Sequence, residues 1–349
     1  MINKSFFSTE ILRWFRENGR DLPWRETRDP YAIWLSEIIL QQTRIAQGWE
    51  YWERFMQTYP KVEDLAAASE DDVLKLWQGL GYYSRARNLH TAAKQIVALG
   101  AFPNTLEGIK SLKGVGDYTA AAIGSFAFDI PAAVVDGNVY RVLSRYFGID
   151  TPINSTQGKK EFAALAQSLL PASDAASYNQ GMMDFGAIQC TPQSPKCLLC
   201  PLAETCEALR CGRVEELPVK NKTVKVKTRH LSYIYIRCKS LAADGTGKSE
   251  PMVAIHRRGE GDIWQGLWEP YNVSDVKELP SFVKNPILLA KDVKHVLTHR
   301  ILLADFYLLE TESRPQLPDD YIWIRESEIE DYGVPRLIEI MLEKINPAE

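Results

Sequence analysis

The sequence predicts a multidomain protein in which an all-α domain is followed by a smaller α+β domain. The chain has 349 residues, which is more than one ordinary compact core accommodates. Apolar residues recur at helical spacing throughout residues 1–211, with breaks at Pro or Gly. Short β-branched or aromatic runs follow at 230–238, 251–256 and 303–310, separated by turn-rich stretches. An amphipathic helix from about Pro335 to Lys344 completes the α+β pattern.

Residues 212–228 separate the two predicted domains, 1–211 and 229–349. The formal net charge of the chain is −4, and an acidic total argues against a broad basic face for nucleic acid. The segment 212–228 is an exception, because it holds five Lys and Arg against two Glu and has no core-forming pattern. We expect a linker with a basic face here. Elsewhere, contact with nucleic acid has to come from local patches and from N–H groups at helix N-termini.

The sequence gives no sign of export or of a membrane span. No stretch approaches the roughly 20 uninterrupted apolar residues that a membrane helix needs. The first ten residues lack the apolar run and the small-residue cleavage site of a signal peptide. We therefore expect a cytoplasmic protein with no membrane partner.

Four of the six cysteines lie within residues 190–206 with the spacing C-x6-C-x2-C-x5-C. They are Cys190, Cys197, Cys200 and Cys206. Short loops bring thiolates together on one metal ion or cluster at small entropic cost. A structural zinc site also takes four thiolates but usually has two C-x2-C pairs, and disulfides are unusual without an export signal. The spacing therefore predicts a metal site, with iron–sulfur favoured over zinc, while Cys211 and Cys238 are expected to be buried or idle thiols.

A glycine-rich turn precedes a helix-forming run at residues 112–123. Gly114 and Gly116 are separated by a single residue, so the backbone can approach another surface closely, and the N–H groups that open the next helix can hold a phosphate. About twenty residues later, Asp136 or Asn138 begins another helix, since apolar residues follow at helical spacing. Taken alone, the glycines indicate a tight helix–helix turn and the Asp indicates an N-cap.

In this order, the glycine hairpin, the Asp and the four-cysteine loop resemble the helix-hairpin-helix glycosylase superfamily that includes endonuclease III. The resemblance covers residues 8–211. It implies that the hairpin grips the DNA backbone, that Asp136 is catalytic and that the four cysteines bind one [4Fe-4S] cluster. The hairpin residues are Lys113, Gly114, Val115 and Gly116.

The segment 31–43 has the apolar stripe of a packed helix, at positions 31, 34, 35, 38 and 39. Glu37 lies about 60° outside that stripe, at about 100° per residue. On this pattern alone, Glu37 is expected to be a solvated flank residue.

Five longer motifs nevertheless resemble the MutY-type adenine glycosylases. They are residues 22–25 (LPWR), 34–37 (WLSE), 40–43 (LQQT), 79–89 (GLGYYSRARNL) and 178–184 (YNQGMMD). The resemblance implies that Glu37 is a general acid. The nucleophilic lysine of endonuclease III falls on Tyr118, so the resemblance implies a mainly monofunctional glycosylase and disfavours a lyase.

The resemblance also implies separate roles for two carboxyl groups. Adenine is a poor leaving group until N7 is protonated, which suits an acid such as Glu37 that is partly withdrawn from water. Departure leaves a positively charged sugar that ionised Asp136 would stabilise, and a helix N-terminus favours the ionised form by roughly 0.3 to 1 kcal/mol. Tyr118 and Asn138 would position the carboxylates and the water.

Further residues would bind the damaged duplex if the resemblance holds. A flipped base leaves the stack at a cost of a few kcal/mol, which pocket contacts offset. The residues implied to line the adenine pocket are Trp24, Arg25 and Gln180. The residues implied to wedge into the duplex beside the lesion are Gln42, Leu80 and Tyr82.

Residues 229–349 resemble the MutT/Nudix-like C-terminal domain of these enzymes, on segments 262–270 and 294–299. No acidic, metal-binding hydrolase helix follows Trp268, so the resemblance implies lesion sensing without hydrolysis. In this chain, Leu297, Thr298 and His299 occupy the positions of the family's Phe-Ser-His sensing loop. Thr keeps the hydroxyl, which both donates and accepts, but the aromatic ring is lost.

The sequence therefore predicts a base-excision repair hydrolase that removes adenine opposite 8-oxoguanine or guanine in duplex DNA. We expect a monomer that acts at the bacterial nucleoid. Two alternatives stay open. A glycosylase for another lesion, such as an oxidised pyrimidine, would need a different base pocket, and a non-enzymatic zinc-stabilised DNA-binding protein would contain no iron and show no turnover.

Overall fold

The computed structural model describes residues 4–41, 43–221, 226–239, 250–274 and 279–346. One compact unit comprises Met1–Ala66 and Thr91–Lys222, and a second comprises Ala67–His90 and Thr223–Glu349. None of the described helices is long and apolar enough to cross a membrane.

The first part of the chain is helical, as the broken apolar pattern predicts. Its α-helices are α1 (Lys4–Asn18), α2 (Pro30–Ile39), α3 (Ile45–Thr58), α4 (Val62–Ala67), α5 (Glu70–Leu76), α6 (Ser84–Leu99), α7 (Leu106–Lys110), α8 (Asp117–Phe128), α9 (Gly137–Phe147), α10 (Thr156–Leu169), α11 (Ala175–Asp184) and α12 (Glu207–Arg210). A 3-10 helix, Pro23–Arg25, precedes α2, and a π-helical turn, Phe185–Gln189, continues α11.

Capping residues fix where the helices begin. Asp29 accepts the Tyr31 N–H at 3.0 Å, and Pro30 occupies the first turn of α2, where its missing N–H is no loss. Asp136 is the N-cap of α9, which confirms that a helix begins here, and Gly116 is the N-cap of α8.

The core of the first unit holds α9 in place. Phe7, Ile11, Leu143, Phe162 and Phe185 are buried together, so α1 packs with α9, α10 and the π-helical turn. Burial of each such side chain contributes roughly 1.5 to 3 kcal/mol. This apolar packing holds the polar N-terminus of α9 in a fixed position.

The segment 67–90 follows the helical pattern in sequence but groups with the second unit. Lys75 Nζ donates to the Tyr332 carbonyl at 3.3 Å, and Arg87 Nη1 donates to the Gln265 carbonyl at 2.6 Å. These partners are more than 170 positions away along the chain, so helical periodicity carries no information about them.

The second unit contains a sheet whose described strands are β1 (Lys227–Cys238), β2 (Met252–Arg257), β3 (Trp268–Glu269), β4 (Tyr271–Ser274), β5 (Ile287–Val296), β6 (Arg300–Thr311) and β7 (Tyr321–Arg325). The strand order is β3-β2-β1-β6-β5, with β4 also pairing with β1 and β7 with β2. β1 and β6 run parallel, with Lys227 opposite Arg300, while β5 and β6 are antiparallel.

The predicted α+β pattern is confirmed. The runs at 230–238, 251–256 and 303–310 lie in β1, β2 and β6, and the final helix, α13, spans Arg336–Ile345. Leu337, Ile338 and Met341 of α13 are buried against one face of the sheet. The sequence did not predict β5. This edge strand has exposed apolar residues and two register shifts, so apolar and polar residues do not alternate regularly along it.

Candidate active site

A cavity of about 570 Å³ in the first unit brings together seven of the residues that the sequence singles out. Its walls come from the 3-10 helix, α2, the start of α8, the start of α9 and α11. The seven residues are Trp24, Arg25, Glu37, Tyr118, Asp136, Asn138 and Gln180.

Glu37 is buried, with 7% of its surface exposed, so the expectation of a solvated flank residue is wrong. The apolar stripe of α2 is not the only packed face, because α8 also contacts this helix. Tyr118 Oη, from α8, donates a hydrogen bond to Glu37 Oε2 at 2.8 Å.

The surroundings of Glu37 favour a protonated acid near neutral pH. Burial raises the pKa of Glu37 to about 7; the hydrogen bond from Tyr118 acts against this, the charge of Asp136 adds to it, and the charge of Arg25 acts against it. Burial and the two carboxylates also raise the pKa of Tyr118, so its phenol stays protonated and donates. Glu37 is therefore suited to proton transfer.

Asp136 is held at the N-terminus of α9 by donors. Its Oδ1 accepts the Val139 N–H at 2.8 Å, and its Oδ2 accepts Asn138 Nδ2 at 2.7 Å. Burial raises the pKa of Asp136 above its ordinary value, while these donors and the charge of Arg141 act in the opposite direction. The positive end of the helix dipole also favours the carboxylate.

Sequence reasoning missed Arg141, which joins Asn138, the partner of Asp136, to the cysteine loop. Arg141 Nη2 donates to Asn138 Oδ1 at 2.8 Å, and its Nε donates to the Cys190 carbonyl at 2.8 Å. Gly186 lies so close to Asn138 that an added Cβ would stand 2.6 Å from the Asn138 Cβ. Arg141 lies opposite the apolar stripe of α9, which is formed by positions 139, 142, 143 and 146, so its burial leaves no signal in the sequence.

Trp24 and Gln180, the aromatic and amide residues of the pocket, have different surroundings. Trp24 is buried between Trp49 and Trp52, with ring centroids 5.9 and 5.8 Å away. Gln180 is half-buried on α11 and lines the cavity. Sequence reasoning also missed Asp184, a fully buried carboxylate that binds Arg25.

The glycine hairpin presents its backbone to solvent. Lys113, Gly114 and Gly116 are exposed, while Val115 is buried and anchors the turn. Gly114 has a φ of +78°, a backbone angle that residues with a side chain rarely adopt. The N–H groups that open α8 follow directly, and such groups can bind a phosphate.

Two of the residues implied to contact the lesion meet in the second unit. Tyr82 is 49% exposed and has a φ of +49°, and its Oη lies 2.6 Å from Thr298 Oγ1. Thr298 and His299 are exposed in the turn between β5 and β6, whereas Leu80 is buried. Gln42 lies outside the described residues.

The four clustered cysteines line one small cavity of about 30 Å³ together with Arg145. Arg145 Nη1 donates to the Cys190 Sγ at 3.5 Å and to the Thr191 carbonyl at 2.7 Å. Among the described residues, no group of three or more His, Cys, Asp or Glu is drawn together around a single ion. A zinc ion needs four ligands at about 2.0 to 2.3 Å from one point, whereas a four-iron cluster holds its thiolates on different irons. The four cysteines around one cavity are the residues that would hold such a cluster. Cys211 is exposed and Cys238 is buried.

Three family profiles match this chain. The profile of the "HhH-GPD superfamily base excision DNA repair protein" matches residues 35–171, that of the "NUDIX domain" matches 247–344, and that of the "iron-sulfur binding domain of endonuclease III" matches 190–206. They confirm the predicted fold class and the expectation of a [4Fe-4S] cluster over zinc.

The chain is similar to proteins of known activity. The adenine DNA glycosylase of Buchnera aphidicola subsp. Acyrthosiphon pisum is 36% identical over 270 residues, 76% of this chain and 74% of that protein. The same enzyme from B. aphidicola subsp. Schizaphis graminum is 30% identical over 355 residues, 97% of this chain and 98% of that protein. Among solved structures, a thermostable thymine-DNA glycosylase is 34% identical with a TM-score of 0.56, covering 60% of this chain and 97% of its own.

Proposed function

The chain belongs to the adenine DNA glycosylases of base excision repair, and from that premise we propose that it removes adenine mispaired with 8-oxoguanine or with guanine in duplex DNA. The observation that carries the proposal is the pair of carboxyl groups in one cavity. Glu37 has a pKa raised to about 7 by burial, and Asp136 is held by N–H donors at a helix N-terminus. One group is suited to donate a proton and the other to face a cation.

The proposed reaction follows from these two roles, proton donor and stabiliser of the cation. Glu37 donates its proton to N7 of a flipped adenine, the bond from N9 to the sugar C1′ breaks, and adenine leaves. Asp136 stabilises the positive charge on the sugar until water adds to C1′ and gives up a proton to the Glu37 carboxylate, which restores the acid. Tyr118 keeps Glu37 in place through the bond to Oε2, and Asn138 does the same for Asp136.

We assign base recognition to Trp24, Arg25 and Gln180, which line the same cavity. On the lesion side, we assign Gln42, Leu80 and Tyr82 to the duplex and Thr298 and His299 to the 8-oxoguanine. The contact between Tyr82 Oη and Thr298 Oγ1 at 2.6 Å supports a shared site for these two hydroxyls.

The DNA backbone is assigned to the hairpin from Lys113 to Gly116, with its exposed glycines and the helix N-terminus that follows. We assign the [4Fe-4S] cluster to Cys190, Cys197, Cys200 and Cys206, which line one cavity. When bound, the cluster supplies a rigid cross-link between the loops of 190–206. We further propose that the enzyme acts as a monomer.

Thymine removal is the second candidate, because the thymine-DNA glycosylase is 34% identical to this chain. That structure covers 60% of this chain, whereas the B. aphidicola adenine glycosylase covers 97%, so adenine is favoured. The test is single-turnover excision from matched duplexes carrying 8-oxoguanine:A, G:A, G:T or thymine glycol, followed by alkali. Release from the first two supports the proposal, and release from G:T or thymine glycol alone contradicts it.

A further inference from the structure

A fully buried carboxylate behind the pocket holds two arginines. Asp184, the last residue of α11, has 0% of its surface exposed. Its Oδ2 accepts Arg25 Nη1 at 2.9 Å, and its Oδ1 accepts Arg25 Nη2 at 2.8 Å. Arg20 donates to the same carboxylate through its backbone N–H and its Nε, each at 2.9 Å, and also through Nη2.

These bonds from Arg25 and Arg20 offset the cost of burying the charge of Asp184. A buried carboxylate without partners is costly, and removal of one partner from a buried ion pair is strongly destabilising. Burial alone would raise the pKa of Asp184, but the hydrogen bonds from Arg25 and Arg20 outweigh burial, and the pKa lies below its ordinary value. Asp184 is therefore ionised whenever the protein is folded at neutral pH.

The same bonds lock the side chain of Arg25. The paired bonds to Asp184 have the fork geometry that restrains a guanidinium most strongly. Arg25 Nη1 also donates to the Arg20 carbonyl at 2.8 Å, and its Cζ lies 5.6 Å from the centre of the Phe15 ring. The side-chain hydrogen bonds of Arg25 to described residues all use Nη1 and Nη2 and leave its Nε–H unused.

Arg25 and Glu37 line the same cavity, so the position of the Arg25 guanidinium affects Glu37. A guanidinium released from Asp184 would be free to pair with Glu37, and a direct pair would hold that acid in its ionised form. Even in its locked position, the charge of Arg25 acts to lower the pKa of Glu37. A general acid held ionised has no proton to give.

We propose that Asp184 is a positioning residue that holds the Arg25 guanidinium against the pocket wall and away from Glu37, so that Glu37 keeps the proton it delivers to the base. The inference rests on the proposed role of Glu37 as general acid. Asp184 touches neither the base nor Glu37; it acts through Arg25.

Other charged and titratable groups line the same cavity as Glu37, and Arg20 among them also bonds to Asp184. Tyr118 faces Glu37 from α8 and Asp136 from the start of α9. The remaining groups of this kind that line the cavity are Arg20, Arg44 and Tyr140. Because Asp184→Asn also loosens Arg20, a comparison with an Arg25→Gln background is needed to separate the contribution of Arg25 from that of Arg20.

The experiment measures single-turnover excision from an 8-oxoguanine:A duplex at saturating enzyme between pH 5 and pH 9, and it compares the midpoint of the decline at high pH. For Asp184→Asn we expect the midpoint to fall by about one pH unit, which corresponds to about tenfold slower excision at pH 8. In an Arg25→Gln background, the same substitution releases only Arg20, which is not among the groups that shift the pKa of Glu37 in the intact site, so it should not move the midpoint. Asp129→Asn, which removes an exposed carboxylate from Arg28, is the matched control and should match the wild type.

A purely structural role for Asp184 predicts a different result. In that case Asp184→Asn slows excision by the same factor at every pH and leaves the midpoint in place, and the proposal is overturned. The absorbance of the iron–sulfur cluster near 400 nm and a thermal melt check that each variant is folded.

A second variant keeps the proposal testable if Asp184→Asn does not fold. Arg25→Lys leaves the charge in the pocket but cannot make the paired bonds to Asp184, because an ammonium is a flexible point charge. We expect its midpoint to fall, while that of Arg25→Gln does not. A wild-type midpoint for Arg25→Lys would show that the paired bonds are not what keeps the cation from Glu37.

The outcomes also separate this inference from the proposed function. If the wild type releases no adenine, or if Glu37→Gln turns over normally, the assignment of Glu37 fails regardless of Asp184. If the wild-type profile depends on Glu37 but neither Asp184→Asn nor Arg25→Lys moves it, only the role of Asp184 fails.

Discussion

The side-chain oxygens of Tyr82 and Thr298 lie 2.6 Å apart, although the residues are 216 positions apart in the chain. Both side chains are exposed, and Tyr82 adopts a positive φ that sets the direction of its ring. The hydroxyls thus form one polar pair on the surface of the second unit. Such a pair offers both a donor and an acceptor to a modified purine.

We expect Thr298→Val to reduce the preference for 8-oxoguanine:A over G:A by roughly tenfold, on the order of 1 to 2 kcal/mol for a lost hydrogen-bonding group. The adenine chemistry itself should survive, because Thr298 lies outside the cavity that contains Glu37. The measurement is the ratio of single-turnover rates on the two duplexes. Thr298→Ser keeps the hydroxyl and serves as the control; equal ratios for Val and Ser variants would remove Thr298 from lesion reading.

We expect Glu37 to set the response of excision to pH. Its pKa is raised to about 7, and as the proposed general acid it acts in the protonated form, so excision should be fast below pH 7 and fall as the pH rises, by about tenfold per unit well above the midpoint. Glu37→Gln should abolish excision at every pH while lesion-DNA binding stays within a few fold, since the amide keeps the shape but cannot protonate N7. A Glu37→Gln variant with a wild-type rate and pH profile would exclude Glu37 as the acid.

Parts of this site follow from local sequence and parts do not. The N-cap of α9 and the positive-φ Gly114 are local features, which a spacing of apolar residues and glycines reveals. The burial of Glu37 is not local, because the helix that covers it carries Tyr118, 81 positions later. For the same reason, the pairing of Arg25 with Asp184, 159 positions away, leaves no periodic signal in either segment.

Asp136 should matter through its charge. Asp136→Asn replaces a carboxylate by a neutral amide where the sugar becomes positive, so we expect a loss of about 3 kcal/mol of transition-state stabilisation, on the order of a hundredfold in rate. The N-cap bond to Val139 survives, because Asn also caps helices, so the melting temperature should change little. Single-turnover rates report the loss. Rates within a few fold of the wild type would refute a role in stabilising the cation.

The cysteine loop offers a matched comparison. Cys200→Ser should lower the iron content and the DNA affinity together, because Cys200 lines the cluster cavity and the loop loses its cross-link. Cys211→Ser changes an exposed cysteine outside that cavity and should leave both unchanged. Iron analysis and DNA titration of the two variants are the measurements. Equal iron content in the two variants would contradict the assignment of Cys200.

The final prediction concerns why this enzyme should stop at the abasic site. A lyase needs an amine that attacks the sugar C1′ and forms a Schiff base, and desolvation activates such lysines by lowering their pKa. Tyr118 occupies the position of that lysine in the endonuclease III resemblance, and its phenol cannot form an imine.

Tyr118 lines the same cavity as Asp136 and Glu37, with its Oη 2.8 Å from Glu37 Oε2. Tyr118→Lys should therefore gain strand nicking and a borohydride-trappable complex with DNA, because the amine would stand in a pocket where neighbouring groups are desolvated. Adenine removal should slow at the same time, since Glu37 loses the phenol that positions it. Tyr118→Phe is the control, because it loses the same bond but gains no amine. If Tyr118→Lys folds and binds lesion DNA yet traps no more than Tyr118→Phe, then the side chain at 118 does not reach C1′, and the hairpin is not aligned with the sugar as proposed.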